Sequence, residues 1–162
     1  MDYLIVDLEQ AQQRILDLER VIRERCGENK QAHLLCSMPG ISYFTATSLV
    51  CRVGRVERFP RACSLANYWG LTPGCRNSGE NNQRLGRITK AGSQLARWLL
   101  AQVTLQVLRK DGALREWYKR LKRRRGSSIA RVAVMRKLAT IIWQMLSRQQ
   151  TYAECRAAAL AV

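Results

Sequence analysis

Tyr68-Trp69-Gly70-Leu71-Thr72-Pro73, then Arg76-Asn77-Ser78-Gly79, then Arg84-Leu85-Gly86-Arg87-Ile88-Thr89-Lys90-Ala91-Gly92 is the passage on which the reading of this chain turns. A helix ending in aromatic and apolar residues gives way at Gly70 and Pro73 to a polar loop punctuated by glycine. A basic segment then leads into a new helix. Reactive and binding groups concentrate on loops carried by rigid elements. This loop offers the Ser78 hydroxyl among four cations, Arg76, Arg84, Arg87 and Lys90, a grouping suited to a phosphodiester.

On either side of that passage the apolar spacing is helical. Leu65, Ala66, Tyr68 and Trp69 give a short helix one face, with Pro60 expected to open it. Downstream, Thr89 or Ser93 can cap a long helix carrying Leu95, Leu99, Val103 and Val107. After Gly112 a further helix carries Leu114, Trp117, Tyr118 and Leu121 and runs into Lys122-Arg123-Arg124-Arg125. Ser127 or Ser128 is expected to cap the last long helix, whose core face is read as Ile129, Val132, Ala133, Leu138, Ile142, Trp143 and Leu146. The Ala-rich tail, residues 149–162, is expected to be loosely ordered. No segment alternates over strand length, so the expected fold class is all-α.

Upstream, helices over about 30–37 and 43–53 flank Met38-Pro39-Gly40-Ile41-Ser42. That layout fits a helix-hairpin-helix, in which Gly40, Ser42 and the start of the second helix would hold a backbone phosphate. It fits an ordinary helix–helix corner equally well. The first 28 residues space Leu4, Leu8, Ala11, Ile15, Leu18 and Ile22 by steps of four and three, a heptad seam with charges of both signs beside it. The seam either pairs as a coiled coil, through residues 3–26, or packs on its own domain. The resulting organisation is a coiled-coil helix over 1–28, a helical domain over 30–148 and the tail.

Composition narrows the function. The chain has 162 residues and a net charge of +16, carried unevenly: residues 1–50 have a net charge of −2 and residues 51–162 of +18. A surface this basic faces a polyanion, and nucleic acid is favoured over a membrane because the apolar faces are needed for packing. Met1-Asp2-Tyr3 precedes no signal-like run and no apolar stretch nears the ~20 residues of a membrane helix. A cytoplasmic protein is expected. Six cysteines lie at least ten residues apart with a single histidine, His33, so buried or half-buried free thiols are expected and no metal site.

Met38-Pro39-Gly40-Ile41, Phe59, Leu65-Ala66, Gly70-Leu71-Thr72-Pro73, Ser78-Gly79, Arg87-Ile88-Thr89-Lys90-Ala91-Gly92 and Arg97-Trp98-Leu99-Leu100 stand in an order that resembles a known family. Ala130, Ala133 and Arg136-Lys137-Leu138-Ala139 extend the match, which covers roughly residues 34–146. The resemblance is to the C-terminal transposase domain of the DEDD-type insertion-sequence transposases. These are bridge-RNA-guided recombinases related to pilin-gene-inverting recombinases. It implies that Ser78 is the nucleophile that becomes covalently joined to DNA. It also implies a coiled coil that helps pair subunits, a guide RNA as a partner, and a separate RuvC-like domain whose acidic residues bind Mg.

That acidic half cannot fit in the 37 residues before Met38. The downstream acids Glu57, Glu80, Asp111, Glu116 and Glu154 are scattered among cations. The chain is therefore expected to bind DNA but not to cleave it alone. A binding module without chemistry is the main alternative, with Lys119, Lys122, Arg123, Arg124 and Arg125 beside Trp117 and Tyr118 as its best feature. A coiled-coil partner that modulates a full-length transposase is the third reading.

Overall fold

In a computed structural model describing residues 2–75 and 85–160, eight helices carry the fold. Helix α1 spans Asp2–Glu28, α2 Lys30–Leu35, α3 Tyr43–Val53 and α4 Ala62–Tyr68. Helix α5 spans Gln94–Lys110, α6 Gly112–Arg125, α7 Ser127–Arg148 and α8 Tyr152–Leu160. The all-α expectation holds with one addition. Strands β1, Pro73–Cys75, and β2, Leu85–Ile88, form a two-stranded antiparallel ribbon between α4 and α5.

Short polar side chains start most of the helices. Asn29 accepts from the amides of Gln31 and Ala32 at 3.0 and 3.1 Å and opens α2. Ser42 opens α3, Ser93 opens α5 and Asp111 opens α6, each accepting from an amide three residues on. These bonds satisfy donors that a helix's first turn leaves without partners. Two expected starts are displaced. Helix α4 begins at Ala62 with Arg61 as the preceding cap, because Pro60 forces Phe59 into an extended conformation and delays the first turn. No side chain caps α7: Gly126, at φ +85°, ends α6 and leads straight into the next helix, so neither Ser127 nor Ser128 serves as the cap.

Helix α7 is the central element and packs on α4, α5, α6 and α8. Its Val134, Leu138, Ile142 and Met145 are fully buried, spaced as one helical face. The expected face holds at Leu138, Ile142 and Leu146, which are buried, and departs at the start of the helix, where Ile129 is exposed and Val132 and Ala133 are half-buried. Trp143 lies at the rim and donates its indole N–H to the Phe59 carbonyl at 2.9 Å. Trp69, Leu49, Leu65, Leu71 and Leu100 fill the core opposite α7.

The tail departs from the expected loose turn. Thr151 and Glu154 form a reciprocal start for α8, with the Thr151 amide donating to Glu154 Oε2 at 2.7 Å. Tyr152 and Cys155 are buried. The Tyr152 amide donates to Ser37 Oγ at 3.1 Å, and its hydroxyl donates to Asp111 Oδ2 at 3.1 Å. Arg156 completes the clasp, with Nη2 2.7 Å from Asp111 Oδ1 and Nε 2.6 Å from Oδ2. An aromatic ring and an ion pair with one buried partner, Asp111, thus fix a segment whose alanines alone carry no signal.

Helix α1 departs in the other direction. Tyr3, Leu4, Ile5, Leu8, Ile15, Leu16 and Leu18 are all more than half exposed. Only Ile22, half-buried, and Cys26, fully buried, seat its end against α2 and α3. Most of the heptad seam therefore packs against nothing in its own domain.

Candidate nucleic-acid interface

The ribbon stands on a base built from two glycines. Gly70, at φ +68°, faces the Ala91 carbonyl so closely that a Cβ there would collide with it. Gly92, at φ +114°, stands in the same relation to the Tyr68 carbonyl. Only a residue without Cβ suits either place, through both torsion and space. Arg97 in α5 ties the two sides together, its Nη1 donating to the carbonyls of Trp69 at 3.1 Å and Gly92 at 3.2 Å. The Thr89 amide donates to the Thr72 carbonyl at 2.9 Å and the Lys90 amide to the Gly70 carbonyl at 3.2 Å. Chain entry and exit are therefore pinned at one point, and the ribbon projects from it.

Of the residues singled out around this loop, Ser78, Arg76 and Arg84 lie outside the described residues. Arg87 on β2 and Lys90 just beyond it are exposed, Lys90 in the left-handed region at φ +54°. Both cations therefore stand on the exit side of the ribbon.

The second basic group lies on α6. Lys119, Lys122, Arg123, Arg124 and Arg125 are exposed, and Lys119 is held by Glu116 at 2.9 Å. Trp117 and Tyr118 are half-buried against the core, with Lys137 lying over the Trp117 ring at 5.4 Å. Their spacing serves packing, leaving the cations as the group that faces solvent.

Gly40 and Ser42 have work within the corner. Gly40, at φ +84°, lets the backbone pass over Gln106 of α5, where a Cβ would collide with the Gln106 side chain. The Ser42 hydroxyl accepts from the Thr45 amide at 3.3 Å and lies 3.1 Å from Thr45 Oγ1. Ser42 thus caps α3 while its side chain stays exposed, and Gly40 gives the corner its close approach to α5.

Among the described residues the acids do not gather. Burial alone would raise the Asp111 carboxyl, but the Leu114 amide, the Tyr152 hydroxyl and the Arg156 guanidinium hold it below the usual carboxylate range. Lys119 likewise lowers Glu116, and the Thr151 amide and hydroxyl lower Glu154. Among the described residues, no group of three His, Cys, Asp or Glu could hold a metal ion. No helix among them is long and apolar enough to cross a membrane. Of the described cysteines, Cys26 and Cys155 are buried but Cys51 and Cys63 are exposed, contrary to the expectation for thiols in an apolar setting. Cys26 Sγ lies 3.8 Å from Cys36 Sγ, and burial together with this neighbour pushes the Cys36 thiol up to about 11.

Sequence reasoning missed a third basic group, Arg52, Arg55, Arg58 and Arg61, which lines the elbow between α3 and α4. Its signal is a three-residue period rather than the helical or strand period. The role of Arg97 has no local signal, because its partner Trp69 stands 28 positions away.

The model of the Transposase IS116/IS110/IS902 family matches residues 32–119. The transposase for insertion sequence element IS1111A of Coxiella burnetii is 34% identical over 156 residues, covering 94% of this chain and 43% of that protein. A probable family 20 transposase of Pseudomonas aeruginosa is 31% identical over 150 residues, covering 90% of this chain and 44% of its own length. The transposase for insertion sequence element IS1328 of Yersinia enterocolitica is 27% identical over 146 residues, with 88% and 43% covered. The chain spans less than half the length of these relatives. On the family model and these identities together, the chain belongs to the IS116/IS110/IS902 family of transposases.

Proposed function

We propose that this chain is the DNA-gripping, serine-bearing part of an insertion-sequence transposase, corresponding to the C-terminal domain of the DEDD-type enzymes and acting in the cytoplasm. The observation that supports this reading best is the pinned base of the ribbon. Gly70, Gly92 and Arg97 fix the root of the segment that carries Ser78, with Arg87 and Lys90 exposed beside it. A nucleophile needs that kind of rigid support to meet a phosphodiester in line.

In the proposed step the Ser78 oxygen bonds to phosphorus as the bond from phosphorus to the leaving deoxyribose oxygen breaks. The serine proton passes to a base, and the leaving oxygen takes up a proton. The phosphoserine link keeps the energy of the broken ester for rejoining a second DNA end. Negative charge on the phosphoryl oxygens is stabilised by Arg87 and Lys90, with Arg76 and Arg84 joining them. The cations of α6 hold the flanking duplex through its backbone.

Among the described residues no three carboxylate, His or Cys side chains gather to hold Mg. Asp111 is bound by Arg156, Glu116 by Lys119 and Glu154 by Thr151. Under this reading the metal-binding acids come from a RuvC-like domain outside these 162 residues, and the chain alone does not cleave DNA. A guide RNA would select the target, and a second copy would pair through residues 3–26.

Supplying an acidic RuvC-like partner, guide RNA and donor DNA with Mg should give a covalent protein–DNA adduct that Ser78→Ala abolishes. An adduct that persists in Ser78→Ala, or none from the complete set, refutes the assignment. A binding module without chemistry is the second reading, favoured by the exposed α6 cations, and it predicts DNA affinity indifferent to Ser78.

A further inference from the structure

Between α3 and α4 the chain reads Arg52-Val53-Gly54-Arg55-Val56-Glu57-Arg58-Phe59-Pro60-Arg61. Two three-residue series interleave here. Val53, Val56 and Phe59 are buried at 0%, 2% and 8% exposure, while all four arginines are exposed. The middle of the segment is a 3-10 turn, Val56–Arg58, which repeats every three residues. Its flanks are extended at Arg55, Phe59 and Arg61. A three-residue repeat thus sends every apolar side chain inward and every guanidinium outward.

The backing is rigid. The Phe59 carbonyl accepts the Trp143 indole of α7 at 2.9 Å, and the 3-10 turn rests on that helix. Arg58 lies over the Phe59 and Tyr68 rings at 4.6 and 4.5 Å and donates to the Arg52 carbonyl at 3.4 Å. Neither Arg55 nor Arg61 spends its side chain on capping the helix it precedes. Among the described residues none of the four is in a salt bridge, and Glu57 is the segment's one acid. Arg58, held in place by these contacts, gives up little freedom on binding.

We propose that Arg52, Arg55, Arg58 and Arg61 form a further nucleic-acid-binding strip, distinct from the ribbon and α6 groups, that holds the phosphate backbone of duplex DNA. The aromatic side chains of the strip are engaged within it: Phe59 is buried, and Arg58 lies over one face of Tyr68. What it presents is guanidinium edges along a fixed track. Arg52 stands in the last turn of α3, Arg58 in the 3-10 turn, and Arg55 and Arg61 on its extended flanks. Guanidiniums on such a track suit backbone phosphates, in contacts that position the duplex without reading its sequence.

The test measures binding of the full chain to a 20-base-pair DNA duplex against salt, for wild type, Arg55→Gln/Arg61→Gln and Arg55→Lys/Arg61→Lys. Arg58 is left alone because it packs on the aromatic rings. Each lost phosphate contact lowers the slope of log affinity against log salt by about 0.9, so the double Gln variant should lose about 1.8. Its affinity at 0.1 M salt should fall roughly 60-fold. The Lys variant should recover most of both, and the melting temperatures of all three should agree. An unchanged slope in the Gln variant at an unchanged melting temperature overturns the strip, as does a loss seen only with an RNA hairpin of equal charge. Lys122→Gln/Arg124→Gln separates the readings. If it weakens DNA binding and the Arg55/Arg61 variant does not, the strip alone fails. If wild type binds no DNA at any salt, both fail together.

Discussion

Replacing Asp111 with Asn should unfold the clasp that holds α8, with a cost that can be worked from its contacts. Asp111 is 5% exposed and accepts from the Leu114 amide, the Tyr152 hydroxyl and the Arg156 guanidinium. Asn keeps one acceptor oxygen, enough for either the Leu114 amide or the Tyr152 hydroxyl, and turns an N–H donor toward the remaining donors. Removing one partner of a fully buried ion pair costs about 3–5 kcal/mol. The Arg156 side chain is 39% exposed and can turn to water, which reduces that figure. A hydrogen bond to a charged group is worth about 1.5–3 kcal/mol. The expected loss is about 2–3 kcal/mol at neutral pH, or roughly 5–10 °C in melting temperature.

The pH dependence is a sharper check. The folded-state carboxyl lies below its unfolded value, so the carboxylate's stabilisation is complete above the unfolded value, near 3.8. It is lost as pH falls from there through the folded value. Urea unfolding followed by tryptophan fluorescence should therefore show wild type and Asp111→Asn far apart at pH 7 and converging in acid. Equal stabilities at pH 7, or a gap that stays constant down to pH 3, would refute the role given to the Asp111–Tyr152–Arg156 contacts.

Gly70→Ala should cost several kcal/mol, since the added methyl meets the Ala91 carbonyl at a positive φ; differential scanning calorimetry and amide exchange of β1 and β2 would read the loss. Leu8→Glu/Ile15→Glu alters exposed positions of α1, so it should leave the melting temperature of the helical body unchanged. If the seam pairs two copies, sedimentation should show the same variant as a monomer where wild type is larger.

Helices were legible because their cause is local: the Ser93 cap and the 95–107 stripe operate within a turn or two, while the break expected at Gly112 falls at Asp111, whose side chain caps α6 and makes Gly112 its first residue. The ribbon was not, since Pro73-Gly74-Cys75 and Leu85-Gly86-Arg87-Ile88 are too short and glycine-rich to alternate. Nothing near Ala157–Ala159 announces α8; its order comes from Asp111, 41 positions before Tyr152. The arginine strip escaped because its period matches neither regular element. Of the candidate site, the cations could be named from sequence. The Arg97 strut and the positive-φ glycines that aim the ribbon needed the fold, because each acts across the chain rather than along it.

Helix α1, at 27 residues, is about 40 Å long at 1.5 Å per residue, yet it is seated only by the turns around Ile22 and Cys26. It works as a lever with a short socket. A tilt of ten degrees at that socket would sweep Tyr3, about 30–35 Å away, through about 5–6 Å by the same rise per residue. Small repacking where Cys26 meets Cys36 therefore governs the reach of the far end, and placing that tip is a matter of a few buried atoms at the root.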